Sequence, residues 1–277
     1  MQTRSRNRQK PSAGLAATVL RRFHTESVAQ TAAALAFTTL LSLVPLVTLV
    51  VSLADLIPFA DQLVAKADAV IIHNLLPKRS GDDIAGYILK FAGQARQLTL
   101  PGLAMLALTA FVLLHTIERA FNHLWQVGQP RPILERVRLY ALVIAIWPLL
   151  LGGLAALLSY AVTVSLGFVG EMPWARQLLI KGTSVLLLGL FFGFLYYAVP
   201  NYKVSKSSAL AGSVFATLAF ALMQKGFELY LTKFGTFSSV YGAFAAAPIF
   251  LLWLHLSWTV VLVGGLIAAT VSRRARR

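Results

Sequence analysis

Between Thr31 and Ile57 the chain reads TAAALAFTTLLSLVPLVTLVVSLADLI, an apolar run whose polar members share one side of a helix. At 100° per residue, Thr31, Thr38, Ser42, Pro45 and Ser52 fall within an arc of roughly 80°. About 20 helical residues cross a hydrocarbon core of roughly 30 Å, so the run predicts a membrane span with one polar stripe. Pro45 cannot donate to the Leu41 carbonyl, which predicts a bend there.

Five more apolar runs follow. The second span starts at Thr99, a good N-cap with Pro101 in the first turn, and is apolar through Leu114. Beyond it His115, Glu118, Arg119, Asn122 and Gln126 keep one helical face while Ile117, Phe121 and Leu124 keep the other. This predicts an amphipathic arm that VGQPRP ends through Gly128, Pro130 and Pro132. The third span, about Leu139 to Phe168, carries Pro148 and small residues that favour close helix packing. The fourth runs from about Leu178 to Ala198 and holds Gly189 and Gly193, a small-xxx-small pair. The fifth starts near Ala209, and the sixth, Tyr241 to about Val271, includes Pro248, Trp253, His255 and Trp258.

Amphipathic spacing also occurs outside the spans. Leu15 to Gln30 suits a helix lying on the membrane surface, and two such helices fit between Pro58 and Thr99, around the turn formers of LPKRSGDD. The expected fold is therefore an all-α polytopic membrane protein. It has a basic tail and surface helix at 1–30, a six-span domain at 31–271 and a basic tail at 272–277.

Composition agrees, with 57% hydrophobic and 13% charged residues, and a mean hydropathy of +0.71. The net charge of +15 is explained by its distribution. Six spans place both termini on one side, together with sixteen of the 25 basic but only three of the 10 acidic residues. The positive-inside rule puts that side in the cytoplasm, so the basicity needs no nucleic acid as partner. No cysteine is present, which excludes disulfides, thiolate metal sites and a cysteine nucleophile.

Five histidines, His24, His73, His115, His123 and His255, are scattered, with no pair at the i, i+4 spacing of a helical zinc site and no glycine-rich phosphate loop nearby. We therefore expect no catalytic residues, no metal and no cofactor. Two polar constellations remain. Thr38, Ser42, Pro45, Pro148, Pro248 and His255 lie in proline-interrupted spans and form a candidate translocation path, His255 because polar groups at that depth face the bundle interior. Glu118, Arg119, Asn122, His123, Arg131, Asn201 and Lys203 form a candidate cytoplasmic gate or headgroup site, where Arg131, Arg136 and Lys203 attract anionic phosphate. The competing reading is a helix-packing stripe and ordinary inside-positive charge.

Several blocks in order, LAFTTLLSLVPL, SGDDIAGYILKFAGQARQLTLPG, TIERAFNHLWQVGQPRP, VPNYKVSKSSALAGS and YGAFAAAPIFLLWLHLSW, resemble the YihY (BrkB-like) family of bacterial inner-membrane proteins. The resemblance implies a six-span inner-membrane protein; members have carried a ribonuclease label, and some look connected to envelope lipid or lipopolysaccharide transport. Where many relatives have an acidic residue soon after a Gly-Ala pair in the sixth span, this chain reads Gly264, Gly265, Leu266, and His255 stands where Tyr is common. The expected function is translocation of a lipid or other amphiphilic anion in envelope biogenesis, with membrane lipids as partners. The alternative is a non-transporting envelope scaffold that docks a protein partner.

Overall fold

The computed structural model describes residues 14–54, 100–129, 131–141, 173–233 and 246–275. They form seven helices: α1 (Leu15–Thr25), α2 (Val28–Ala54), α3 (Leu100–Trp125), α4 (133–141), α5 (Pro173–Ala198), α6 (Lys206–Lys233) and α7 (Ala246–Arg274). Among the described residues, Ala104–Trp125, Lys206–Thr232 and Ala247–Arg274 are long and apolar enough to cross a bilayer. Shorter apolar stretches occupy Val28–Leu43 and Ser184–Ala198. The start of the N-terminal tail, the two amphipathic helices expected before Thr99, and the third span beyond residue 141 with Pro148 lie outside the described residues.

Local backbone chemistry sets the helix ends. The surface helix expected over Leu15 to Gln30 is broken after Thr25, because Ser27 takes a left-handed φ of 50° and α2 starts at the next residue. The second span and its amphipathic arm form one unbroken helix of 26 residues. Its end is set by Gln126, not Gly128. Gln126 has φ 51°, its N–H donates to the His123 carbonyl at 2.9 Å, and the Val127 N–H donates to the Asn122 carbonyl at 2.9 Å, as in a Schellman cap. At the start of α6, Ser205 is the N-cap, and its Oγ accepts from the Ser208 N–H at 3.3 Å.

α7 is the central helix, packed against α6, α2, α1, α3 and α5. Its approach to α6 is closest at two glycines. A Cβ on Gly212 would lie 2.6 Å from the Gly264 carbonyl oxygen and 2.8 Å from the Ala268 Cβ. A Cβ on Gly264 would collide with the Tyr196 hydroxyl and lie 2.9 Å from the Ala216 Cβ. The space is used by Tyr196 of α5, fully buried, which donates from its hydroxyl to the Val261 carbonyl of α7 at 2.9 Å. Tyr196 also stacks on Phe192, and Phe192, Phe220, Trp253 and Phe227 continue a chain of ring contacts along the same interface.

The polar stripe of α2 sits at the margin of its packed face. Val28, Ala32, Leu35 and Ala36 are buried, and Thr39 accepts from Trp258 Nε1 at 2.9 Å. Those positions centre roughly 100° around the helix from the stripe. Ser42, on the stripe's nearer edge, is buried; Thr38 donates to its own helix at the Ala34 carbonyl, 2.8 Å away.

One end of the bundle gathers α1, the C-termini of α3 and α7, and the turn between α5 and α6; it is the basic end. Arg22, on the amphipathic α1, is buried there. Its Nε donates to Glu26 at 2.8 Å, Nη1 to Thr270 Oγ1 at 2.7 Å, and Nη2 to the Leu124 carbonyl at 2.6 Å. The last contact satisfies a carbonyl left open at the end of α3.

Two outcomes are expected. Gly264→Ala should lower stability by about 1–3 kcal/mol through overpacking. Gly226→Ala, whose added Cβ meets nothing within 4 Å, should be neutral or raise it by about 0.5–1 kcal/mol. Thermal unfolding in detergent reads both, and Tyr196→Phe should recover part of the Gly264→Ala loss. Arg22→Ala should speed proteolysis at the α1–α2 turn several-fold while the rest of the bundle keeps its protection, since charged hydrogen bonds of about 1.5–3 kcal/mol each hold α1 down.

Candidate functional site

Helix α3 carries His115, Glu118, Arg119 and Asn122 at spacings of three and four, so they project from one side. Helix α4 carries Arg136 and Tyr140 four residues apart, and the two sets meet. The Glu118 side chain is 2% exposed. Its Oε2 accepts from the Tyr140 hydroxyl, and its Oε1 accepts from Asn122 Nδ2 at 3.4 Å. Arg136 Nε lies 3.3 Å from Glu118 Oε2. This is an ion pair without the alignment of a hydrogen bond, and the buried Arg136 Nε has no acceptor among the described residues. Phe111 packs against both the Tyr140 ring and the His115 ring, fixing their orientation.

Asn122 extends the network to another helix pair. Its Oδ1 accepts from the Asn201 N–H at 2.8 Å, and Asn201 Nδ2 donates to the Gln129 carbonyl at 3.3 Å, stapling the α5–α6 turn to the end of α3. These groups border a cavity of about 430 Å³ lined by His115, Glu118, Arg119, Asn122, His123, Val127, Gln129 and Arg136. Two guanidiniums face one carboxylate, so the wall is net cationic. His115 Nδ1, also on the wall, is buried without a hydrogen-bond partner among the described residues. The volume falls within the roughly 300–1,000 Å³ of small-molecule sites. Among the described residues no three His, Asp or Glu side chains gather as metal ligands.

The cavity brings together four of the gate residues picked from sequence, Glu118, Arg119, Asn122 and His123, and ties a fifth, Asn201, to Asn122. Lys203 is exposed on the same turn as Asn201, and Arg131 precedes α4 with a buried Nη1 that has no partner among the described residues. The translocation-path residues lie elsewhere. Thr38, Ser42, Pro45, Pro248 and His255 do not line this cavity, and Pro148 lies outside the described residues. His255 is half-buried on α7, its Nδ1 without a partner among the described residues. Sequence reasoning missed Tyr140, which reads as the first turn of an apolar span. Its position four residues after Arg136 was the available signal.

A family model described as Virulence factor BrkB matches residues 19–277. Similar chains include a UPF0761 membrane protein of Azoarcus sp. strain BH72, 46% identical over 250 residues, covering 90% of this chain and 61% of the relative. Others are from Aromatoleum aromaticum, 42% identical over 250 residues with the same coverage, and Nitrosospira multiformis, 39% identical over 254 residues, covering 92% of this chain and 60% of the relative. The chain thus spans about three fifths of the length of these curated relatives. No solved structure matches it. With nearly all of its residues matched by the family model, and membrane proteins among its relatives, the chain belongs to the BrkB family of membrane proteins.

Proposed function

We propose that the chain forms a six-span bacterial inner-membrane protein, both termini in the cytoplasm, that moves a lipid or another amphiphilic anion across that membrane in envelope assembly. The observation that carries this reading is the Glu118–Arg136 pair in the wall of a cationic cavity. A guanidinium binds phosphate oxygens through two parallel charge-assisted bonds, so an arriving headgroup competes for Arg136. When Arg136 turns to the headgroup, Glu118 keeps its donors from Tyr140 and Asn122. Neither charge is then stranded, and the exchange avoids the cost of about 3–5 kcal/mol that an orphaned buried charge would impose. The chains of such a substrate stay in lipid while the headgroup occupies the cavity. The segregation of basic residues to one end supports the orientation.

Two measurements test the proposal. Proteoliposomes with active wild-type protein should speed transbilayer movement of labelled anionic lipids, phosphatidylglycerol or a lipid A precursor. Arg136→Gln should cut that rate about tenfold or more, the size of one lost charged hydrogen bond. If folded wild-type protein accelerates none of them, translocation is overturned and a scaffold role takes its place. For orientation, the absence of cysteine makes a single Lys203→Cys informative. It should react with a membrane-impermeant maleimide only after the inner membrane is permeabilised; reaction in intact spheroplasts would reverse the topology.

A further inference from the structure

A second concavity lies outside the Glu118 site, along the line where α5 meets α6. The two helices touch through small residues: a Cβ on Gly189 would lie 3.5 Å from Thr217 Oγ1, and one on Gly193 3.8 Å from Ser213 Cβ. Bulkier neighbours such as Val185, Leu190, Leu210 and Leu218 stand out on either side and are about half exposed or more. The result is a groove of about 630 Å³ with an almost wholly apolar wall. The Ser213 and Thr217 hydroxyls that flank it are satisfied within α6, by the Leu210 and Ser213 carbonyls. The groove therefore asks nothing polar of its occupant along its length.

Its mouth differs. Lys206 and Tyr197 line the groove where the α5–α6 turn begins, at the basic end of the bundle. Among the described residues the groove runs about 18 Å from Tyr197 to Val185 at 1.5 Å per residue. That is long enough to seat an acyl chain through one leaflet of a hydrocarbon core of roughly 30 Å. A chain rooted at the interface brings an anionic headgroup to the mouth, where Lys206 supplies the cation, whereas an apolar helix has no use for that charge. Charge therefore selects a lipid.

We propose that the α5–α6 groove holds an acyl chain of an anionic phospholipid from the leaflet at the basic end, its phosphate on Lys206 beside Tyr197. This site is separate from the Glu118 cavity, but the same turn, residues 199–205, joins them: Lys206 follows it and Asn201 within it bonds Asn122. The inference concerns binding and stands whether or not the protein moves lipid.

Native mass spectrometry of the full chain in detergent, titrated with phosphatidylglycerol or phosphatidylcholine of equal chain length, tests it. The wild type should retain phosphatidylglycerol preferentially. Lys206→Glu, an exposed change, should lower that retention about tenfold and erase the preference. Gly193→Leu, whose Cβ makes only ordinary contact, should lower retention of both lipids by filling the groove. Lys225→Glu, also on α6 but outside the groove, should change nothing, and Arg136→Gln should leave the groove-bound lipid in place even where transport fails. Equal retention of the two lipids by the wild type would overturn the proposal, as would retention unchanged by both Lys206→Glu and Gly193→Leu. Dimers cross-linked through Leu190→Cys with no lipid retained would give the groove to a second copy instead.

Discussion

The bundle depends on the near-contact of α6 and α7 at Gly212 and Gly264, with the Tyr196 hydroxyl set into the gap. Between helices in lipid there is little hydrophobic gain, because acyl chains are as apolar as leucine; close van der Waals packing and buried hydrogen bonds must hold the helices together. Glycine at both positions lets the backbones approach, and the Val261 carbonyl, already within a helix, accepts a second donor from Tyr196. Once α7 is seated this way, its other faces carry α2, α1 and α3. Leu266, just beyond the glycine pair, is fully buried in that packing. A carboxylate there would have to be desolvated, so the leucine of this chain suits its surroundings.

The basic end shows how a buried arginine whose donors are all used differs from one that keeps a donor unused. Arg22 spends its donors on Glu26, Thr270 and the Leu124 carbonyl, which cross-links α1, α3 and α7. Arg136 also sits against a buried carboxylate, but Glu118 takes its hydrogen bonds from Tyr140 and Asn122. That leaves Arg136 Nε without an acceptor among the described residues, on the wall of a cavity. Both arginines look alike in charge and in burial. Their partners separate them.

The cavity and the α5–α6 groove differ in chemistry, one polar and cationic, the other apolar with a single cation at its mouth. They share the turn that Asn201 fastens to Asn122. A shift of α4 relative to α3 would disturb the Glu118 network first, and through Asn122 it would reach the segment from which α6 starts. This gives the Glu118 cavity a mechanical route to the mouth of the α5–α6 groove.

Much of this was legible in the sequence. Apolar runs of spanning length and the i, i+3, i+4 spacing of Glu118, Arg119 and Asn122 are local properties, and helix geometry alone turns them into long helices and faces. Gly189 and Gly193 were also visible as a close-packing signal, and they do face α6. Other features depend on residues far apart in the chain. Gly212 and Gly264 matter because a tyrosine from a third helix fills the space between them. Glu118 reads as solvated until Tyr140 and Arg136 arrive from α4, and Arg22 reads as surface until Thr270, 248 positions away, is placed beside it. The polar stripe of α2 shows the limit most clearly. Periodicity groups Thr38 with Ser42, but only the positions of the helices packed on α2 decide that Ser42 is buried while Thr38 stays at the margin, because burial is set by neighbouring helices and not by the angle at which a side chain leaves its own.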